Sequence, residues 1–421
     1  MKSMKLSAAF SRRVFLAALA SVLFIAPAWA NRDDARWVGT WSASMQAPFP
    51  GATPATFTGV TLRQVAHVSM GGGVVRVRFS NATGTDPVTI GAASIGLRST
   101  GANVRAGTLR TLMFGGATSI TMPPGAIALT DGVRLDVDAQ DDVAISLYLP
   151  NRSAATTMLT LAHQTNYVSP PGDFTGAVTM TAEATNTTWY WLSGIEVLAE
   201  DARAVVAFGD SITEGFNSTT DANARWPDVL ERRLLAHRGT RHVSMLNEAI
   251  SGNRVLNDVI GPNAQMRIDR DVLTQGGLAY VILLEGTNDM GFSQLPAGIF
   301  GPGVSLANVS AAEIIAGYKQ IIRRVHQAGA KIYGGTVLPF KGAFYYDAAV
   351  ELKRAALNAF IRTGGWFDGV IDFDAVMRDP THPTQMLPAY DSGDHLHPND
   401  AGYAAMGNSI NLELFAAGED D

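Results

Sequence analysis

Four short runs in the 421-residue sequence hold the residue types that acyl transfer needs. Val205-Val206-Ala207-Phe208 reads as a buried strand, Gly209 breaks it, and Asp210-Ser211 follows at its carboxyl end. A serine there can act as a nucleophile if it meets a base, a group that orients the base, and donors for a developing oxyanion. Taken alone, Gly-Asp-Ser is also ordinary turn chemistry, and serine is a preferred helix cap. The missing types lie downstream. In Asn247-Glu248-Ala249-Ile250-Ser251-Gly252-Asn253, Gly252 can present its backbone N–H to a ligand; Glu285-Gly286-Thr287-Asn288-Asp289 offers the Asn288 amide. Asp391-Ser392-Gly393-Asp394-His395-Leu396-His397-Pro398 supplies carboxylates and two histidines.

These runs share one sheet edge only if each follows a strand of the same sheet, and the periodicity from about residue 201 predicts that. Strand-like runs at 203–208, 242–247, 278–285, 331–337 and 368–372 alternate with helical patterns at about 226–238, 264–274, 311–328, 347–363 and 399–415. Ser310-Ala311-Ala312-Glu313 reads as a capping box. The alternation predicts βαβ units and a parallel sheet in a three-layer α/β/α sandwich, with a flavodoxin-like strand order. Ligands of such sheets bind beyond the carboxyl ends of the strands, at the switch point between the first and third.

Residues 31–200 carry a different period. Val75, Val77 and Phe79 alternate with Val74, Arg76 and Arg78, and Val143, Ile145, Leu147 and Leu149 with Asp142, Ala144, Ser146 and Tyr148. With turn clusters such as Gly71-Gly72-Gly73 and Met122-Pro123-Pro124-Gly125, this predicts a β-sandwich, jelly-roll-like, without helices. No flexible linker lies near 198–203, so domains 31–200 and 201–421 are expected to pack together. Trp37, Trp41, Trp189, Tyr190 and Trp191 fit core packing better than sugar platforms, because large aromatics most often serve packing. His67 and His163 have no visible partner and read as structural.

The Gly209-Asp210-Ser211 turn, Gly252, the Gly286-x-Asn288-Asp289 turn and Asp394-x-x-His397-Pro398 resemble, in order and spacing, the blocks of the SGNH (GDSL) hydrolase family. The resemblance spans roughly 205–400, about half the chain. It implies Ser211 as nucleophile, His397 as base and Asp394 as the partner of the other imidazole nitrogen. It implies an oxyanion hole from the backbone N–H groups of Ser211 and Gly252 with the Asn288 side chain, and Asp210 and Asp289 as braces. No cofactor and no metal is implied. The layout, with the Leu387-Pro388-Ala389-Tyr390-Asp391-Ser392-Gly393 run, is similar to acetylxylan-esterase-like members with an N-terminal β-domain. The substrate so implied is a small-molecule, oligosaccharide or polysaccharide ester, foremost an acetylated xylan-type carbohydrate. Alternatives are a broad short-chain carboxylesterase or lysophospholipase, and a non-catalytic secreted carbohydrate-binding protein. Loops at 290–304, 339–347 and 377–393 are expected to shape the pocket.

Rival chemistries fit less well. Asp391, Asp394, His395, His397 and Asp400 could ligate a divalent ion, yet the serine constellation accounts for more of the cluster. His395 is expected to point away from the serine. No Gly-x-Ser-x-Gly elbow occurs, which disfavours an α/β-hydrolase. The absence of cysteine removes disulfides, thiolate metal sites and cysteine nucleophiles.

Residues 1–30 read as an export signal. Lys2, Lys5, Arg12 and Arg13 precede an apolar run from Val14 to Ala26, and Ala28-Trp29-Ala30 is a small-x-small cleavage site. Ser11-Arg12-Arg13-Val14-Phe15-Leu16 resembles a twin-arginine motif, and the run is too short for a membrane span. The protein is therefore expected to be exported, periplasmic or extracellular. The signal carries four of the 32 basic residues and no acidic one, so the remainder has 28 basic against 38 acidic residues, a net charge of −10. That balance disfavours nucleic acid and anionic membrane as partners. No pattern encodes an oligomeric state.

Overall fold

Five parallel strands carry the turn that bears Ser211: Arg203–Gly209, Val243–Ala249, Leu278–Leu284, Lys331–Gly335 and Gly369–Ile371. The structure, a computed structural model, describes residues 35–301, 304 and 306–416; the expected signal lies outside them. In space the second strand lies outermost, followed by the first, third, fourth and fifth, which is the flavodoxin-like order. Gly209 pairs with both Ala249 and Leu284, so the first three strands end level. The turns that follow them therefore open onto one edge.

Side chains alternate across this sheet, and both faces are covered. Val205, Ala207, Ile282 and Leu284 meet Trp226, Leu230 and Leu234 of helix Trp226–Ala236 and Tyr403 and Met406 of helix Asp400–Ser409. Val206, Phe208, Val281 and Leu283 join a core with Ile314, Tyr318 and Ile321 of helix Ala311–Gln327 and Leu357 of helix Ala348–Thr363. The Ser310 capping box forms: Ser310 Oγ accepts the Glu313 N–H at 3.2 Å and Glu313 Oε2 accepts the Ser310 N–H at 2.7 Å.

Two expected helices are broken. The 264–274 pattern is an α-turn at Ala264–Ile268 that widens to π winding over Asp269–Leu273. The widening comes where the adjacent Arg270 and Asp271 both reach the 44–45 segment, Arg270 Nη2 donating to Met45 O at 2.8 Å and Asp271 Oδ2 accepting from Ser44 Oγ at 3.0 Å. The 399–415 pattern stops at Ser409, because Ile410 is extended and Asn411 caps a separate 3-10 turn, Leu412–Phe415.

Beside three two-stranded sheets among the described residues, residues 35–199 form two main antiparallel sheets. One places Arg36–Ser42, Leu192–Ala199, Gly72–Ser80 and Val133–Val137 side by side; the other centres on Val60–His67 and Asp142–Leu149. Val75, Val77 and Phe79 from the first and Leu62, Ile145 and Leu147 from the second share one core. Trp41, Trp189, Tyr190 and Trp191 are buried, with the Trp41 and Trp189 rings edge-to-face at 4.8 Å. His67 pairs with Asp142 at 2.8 Å.

Only three residues separate Ala199 from Arg203, and both halves belong to one compact unit beginning at Ala35. The same apolar core runs from the sandwich into the parallel sheet through Val38, Leu246 and Phe208. Gly39 lies against Leu246, where an added Cβ would sit 2.8 Å from its Cδ1. Polar contacts cross the junction too: Gly39 N–H donates to Gly276 O at 2.9 Å and Met245 N–H to Ser69 Oγ at 3.0 Å.

Candidate active site

Ser211 opens a one-turn helix, Ser211–Glu214, at the end of the first strand. Asp210 caps it, its Oδ1 accepting the Ile212 N–H at 3.0 Å, and Gly215 ends it in the left-handed region at φ +99°. The turn lifts Ser211 to the sheet edge with its side chain nearly enclosed.

His397 arrives from the loop before helix Asp400–Ser409. Its Nε2 lies 2.8 Å from Ser211 Oγ and its Nδ1 lies 2.6 Å from Asp394 Oδ2. A carboxylate only accepts, so Nδ1 carries the proton and Nε2 is left to accept from the serine hydroxyl. Asp394 is itself fixed: Oδ1 accepts the N–H groups of Leu396 at 2.9 Å and His397 at 2.8 Å. Burial works to raise this carboxyl, but the hydrogen bond from the His397 ring and the backbone donors outweigh it. They hold Asp394 well below the usual carboxylate range. Phe216 covers the imidazole at 4.4 Å between ring centres, and the Tyr403 hydroxyl donates to Phe216 O at 2.7 Å.

The other candidate donors come from the second and third strands. Gly252 has φ +77°, and a Cβ there would sit 2.4 Å from Ile260 Cδ1, so conformation and space both require glycine. Asn288 lies in helix Thr287–Gly291, which follows Gly286 at φ +100°. Its Nδ2 donates to Asn253 O at 3.0 Å and its Oδ1 accepts from the Tyr345 hydroxyl at 3.2 Å. These bonds settle which way the amide points and leave Nδ2 one hydrogen for a ligand.

Asp210 and Asp289 lie behind these turns. Asp289 accepts the N–H groups of Val255 at 2.7 Å and Leu256 at 3.1 Å, tying the loop after the second strand to the third. Burial pushes Asp289 up to about 6 against those donors. Burial, with the Asp289 charge adding to it, pushes Asp210 up to about 7.

His395 forms a second pair, Nδ1 to Asp391 Oδ2 at 2.6 Å, on the same loop. Its side chain is 56% exposed and lines a shallow cleft of about 270 Å³ with Lys341, Gln385 and Pro388. Of the rival metal cluster, His395 is taken up by Asp391, His397 by Asp394, and Asp400 by the Thr219 N–H at 2.9 Å. Among the pocket-loop aromatics, Phe292, Phe340 and Tyr345 pack inward, while Phe344 is exposed.

Several residues around the site carry no sequence signal. Phe216 and Asn217 lie in an unpatterned loop, where Asn217 Nδ2 donates to Ser392 Oγ at 3.0 Å. Arg267 reads as one more polar position of a helix. Tyr345 is visible only as a loop aromatic, and Asn253 only as the neighbour of Gly252.

Residues 207–405, which span the parallel sheet, match the family model of the GDSL-like Lipase/Acylhydrolase family. Solved structures that align with this chain include an acetylxylan esterase from Geobacillus stearothermophilus, at 17% identity and a TM-score of 0.38, covering 51% of this chain and 95% of that one. A carbohydrate acetylesterase from Sinorhizobium meliloti aligns at 16% identity and a TM-score of 0.38, covering 50% and 98%. A GDSL-like lipase from Bacteroides thetaiotaomicron VPI-5482 aligns at 19% identity and a TM-score of 0.36, covering 50% and 87%. No curated protein matches the chain.

Proposed function

We propose that the protein is a serine ester hydrolase working through an acyl-enzyme, with Ser211 as nucleophile, His397 as general base and acid, and Asp394 as the group orienting His397. The observation that carries this is the imidazole bridging Ser211 Oγ at 2.8 Å and Asp394 Oδ2 at 2.6 Å. Ser211 Oγ attacks the ester carbonyl while its proton passes to His397 Nε2. The oxyanion takes hydrogen bonds from the Ser211 and Gly252 N–H groups and Asn288 Nδ2. Collapse returns the Nε2 proton to the departing alcohol and leaves an acyl-Ser211 ester. Water, deprotonated by the same nitrogen, then releases the carboxylic acid and restores the serine.

The substrate proposed is an acetyl ester of a carbohydrate of the xylan type, met outside the cytoplasm after export. The signal-like residues 1–30 and the Leu387–Gly393 run before Asp394 support it. Acetate release from acetylated xylan, measured beside a para-nitrophenyl ester chain-length series, tests this. Serine-dependent acetate release supports the carbohydrate substrate. Activity confined to the synthetic esters leaves a broad short-chain carboxylesterase, and preference for long chains a lysophospholipase.

A further inference from the structure

Directly under the turns that carry the candidate oxyanion donors lies a buried guanidinium for which acyl transfer itself has no use. Arg267 is 1% exposed; besides its pair with the buried Glu285 carboxylate, Nη2 to Oε1 at 3.4 Å, its donors reach four elements. Nε donates to Asn253 Oδ1 at 2.8 Å, Nη1 to Glu248 O at 2.7 Å, and Nη2 to Gly209 O at 3.0 Å. Gly209 ends the first strand two residues before Ser211, and Glu248 lies one residue from the end of the second. Asn253 follows Gly252, and its own carbonyl accepts from Asn288 Nδ2 at 3.0 Å. One planar cation thus touches the strand end behind Ser211, the Gly252 turn, and Asn288 through Asn253. The Phe208 ring lies 4.1 Å beneath the guanidinium.

The fourth element comes from the β-rich half. Arg267 Nη1 also donates to Ser44 Oγ at 3.0 Å, and that hydroxyl sits 2.6 Å from Glu248 Oε2 and 3.0 Å from Asp271 Oδ2. Gln275 Nε2 completes Glu248 by donating to its Oε1 at 2.6 Å. Ser44 is wholly buried, two residues past the strand Arg36–Ser42.

We infer that Arg267, seated by Ser44 of the β-rich half, is a positioning residue for the oxyanion-binding side of the active site, so that the β-rich half is part of the catalytic framework. The inference rests on the acyl-transfer reading above. Oxyanion donors accelerate the reaction only if they are held in place before charge develops. A guanidinium fork fixes several acceptors in one plane, which the single ammonium of lysine cannot do. Displacing the fork releases the Gly209 and Glu248 carbonyls and the Asn253 amide together, shifting the donors without touching Ser211, His397 or Asp394.

The test uses Ser44→Ala and Arg267→Lys in the full-length protein, with kcat and KM for para-nitrophenyl acetate corrected to the folded fraction from circular dichroism. Losing one oxyanion donor outright costs about 10²–10³ in kcat. Mispositioning is expected to cost roughly ten- to hundredfold for Arg267→Lys and roughly three- to tenfold for Ser44→Ala, with KM within about twofold in both. Should Arg267→Lys fail to fold, Ser44→Ala, which removes one hydroxyl, decides alone. Wild-type kcat per folded molecule overturns the inference, and so does a rise in KM with kcat unchanged, since that places the network in ground-state binding. Ser211→Ala in the same assay separates the two levels. Activity surviving in Ser211→Ala removes the acyl-transfer reading; an inactive Ser211→Ala with undiminished Ser44 and Arg267 variants removes only the positioning role.

Discussion

Two histidine–carboxylate pairs sit two residues apart on one loop, with the same 2.6 Å separation: His397 with Asp394 and His395 with Asp391. Their environments differ. The His397 side chain is 9% exposed, lies under Phe216 and has Ser211 on its second nitrogen, whereas that of His395 is 56% exposed. A pair distance therefore says little about reactivity. What separates them is a third partner and the exclusion of water, which strengthens the electrostatic interactions inside.

The sharpest way to break this comparison is to remove the partners one at a time. Ser211→Ala and His397→Ala are each expected to lower kcat by about 10⁴–10⁶-fold, because residues acting as a unit fail together. Asp394→Asn leaves the loop in place but spoils the tautomer, and a loss of about 10⁴-fold is expected. Para-nitrophenyl acetate turnover measures all three. Phe216→Ala removes only the cover over His397. An aromatic contact worth about 0.5–1.5 kcal/mol corresponds to a loss of roughly three- to tenfold in kcat/KM. His395→Ala breaks an exposed pair worth up to about 1 kcal/mol, so less than about fivefold is expected in the same assay. A loss for His395→Ala as large as that for His397→Ala would erase the distinction.

A second contrast lies between Asp394, held low at the rim, and the carboxyls behind it, held high. Burial, with the Asp271 charge adding to it, pushes Glu248 up to about 8. A carboxyl with a raised folded-state pKa binds more protons folded than unfolded between its two pKa values. Its contribution to stability is full below the unfolded value and is lost as pH rises through the folded one. Thermal unfolding temperature is thus expected to fall from about pH 5 to pH 9, and Glu248→Gln to flatten that slope. An unchanged slope in Glu248→Gln would take Glu248 out of the titration.

The parallel sheet was readable because its two central strands, Arg203–Gly209 and Leu278–Leu284, hold continuous apolar runs and helical patterns alternate with the strands, and a sheet covered on both faces needs such runs. Ser211, Gly252, Asn288 and Asp394 to His397 were readable for a related reason: each follows a strand or precedes a helix whose position the pattern already predicts. Residues whose meaning depends on a distant partner were not. Arg267 and Asp271 look like the polar side of an ordinary helix, and only the arrival of Ser44 and Met45 shows why that helix widens and buries its charges. Phe216 gains its place from Tyr403, 187 positions away. Tyr345 gains its own from Asn288, 57 positions earlier.

The central claim is that Ser211 becomes covalently acylated through His397. Intact-protein mass spectrometry after brief exposure to a fluorophosphonate, with peptide mapping, tests it most directly. One adduct per chain, on Ser211, absent from Ser211→Ala and formed far more slowly in His397→Ala, is the predicted result. An adduct on another residue, or undiminished labelling of Ser211→Ala, would contradict it.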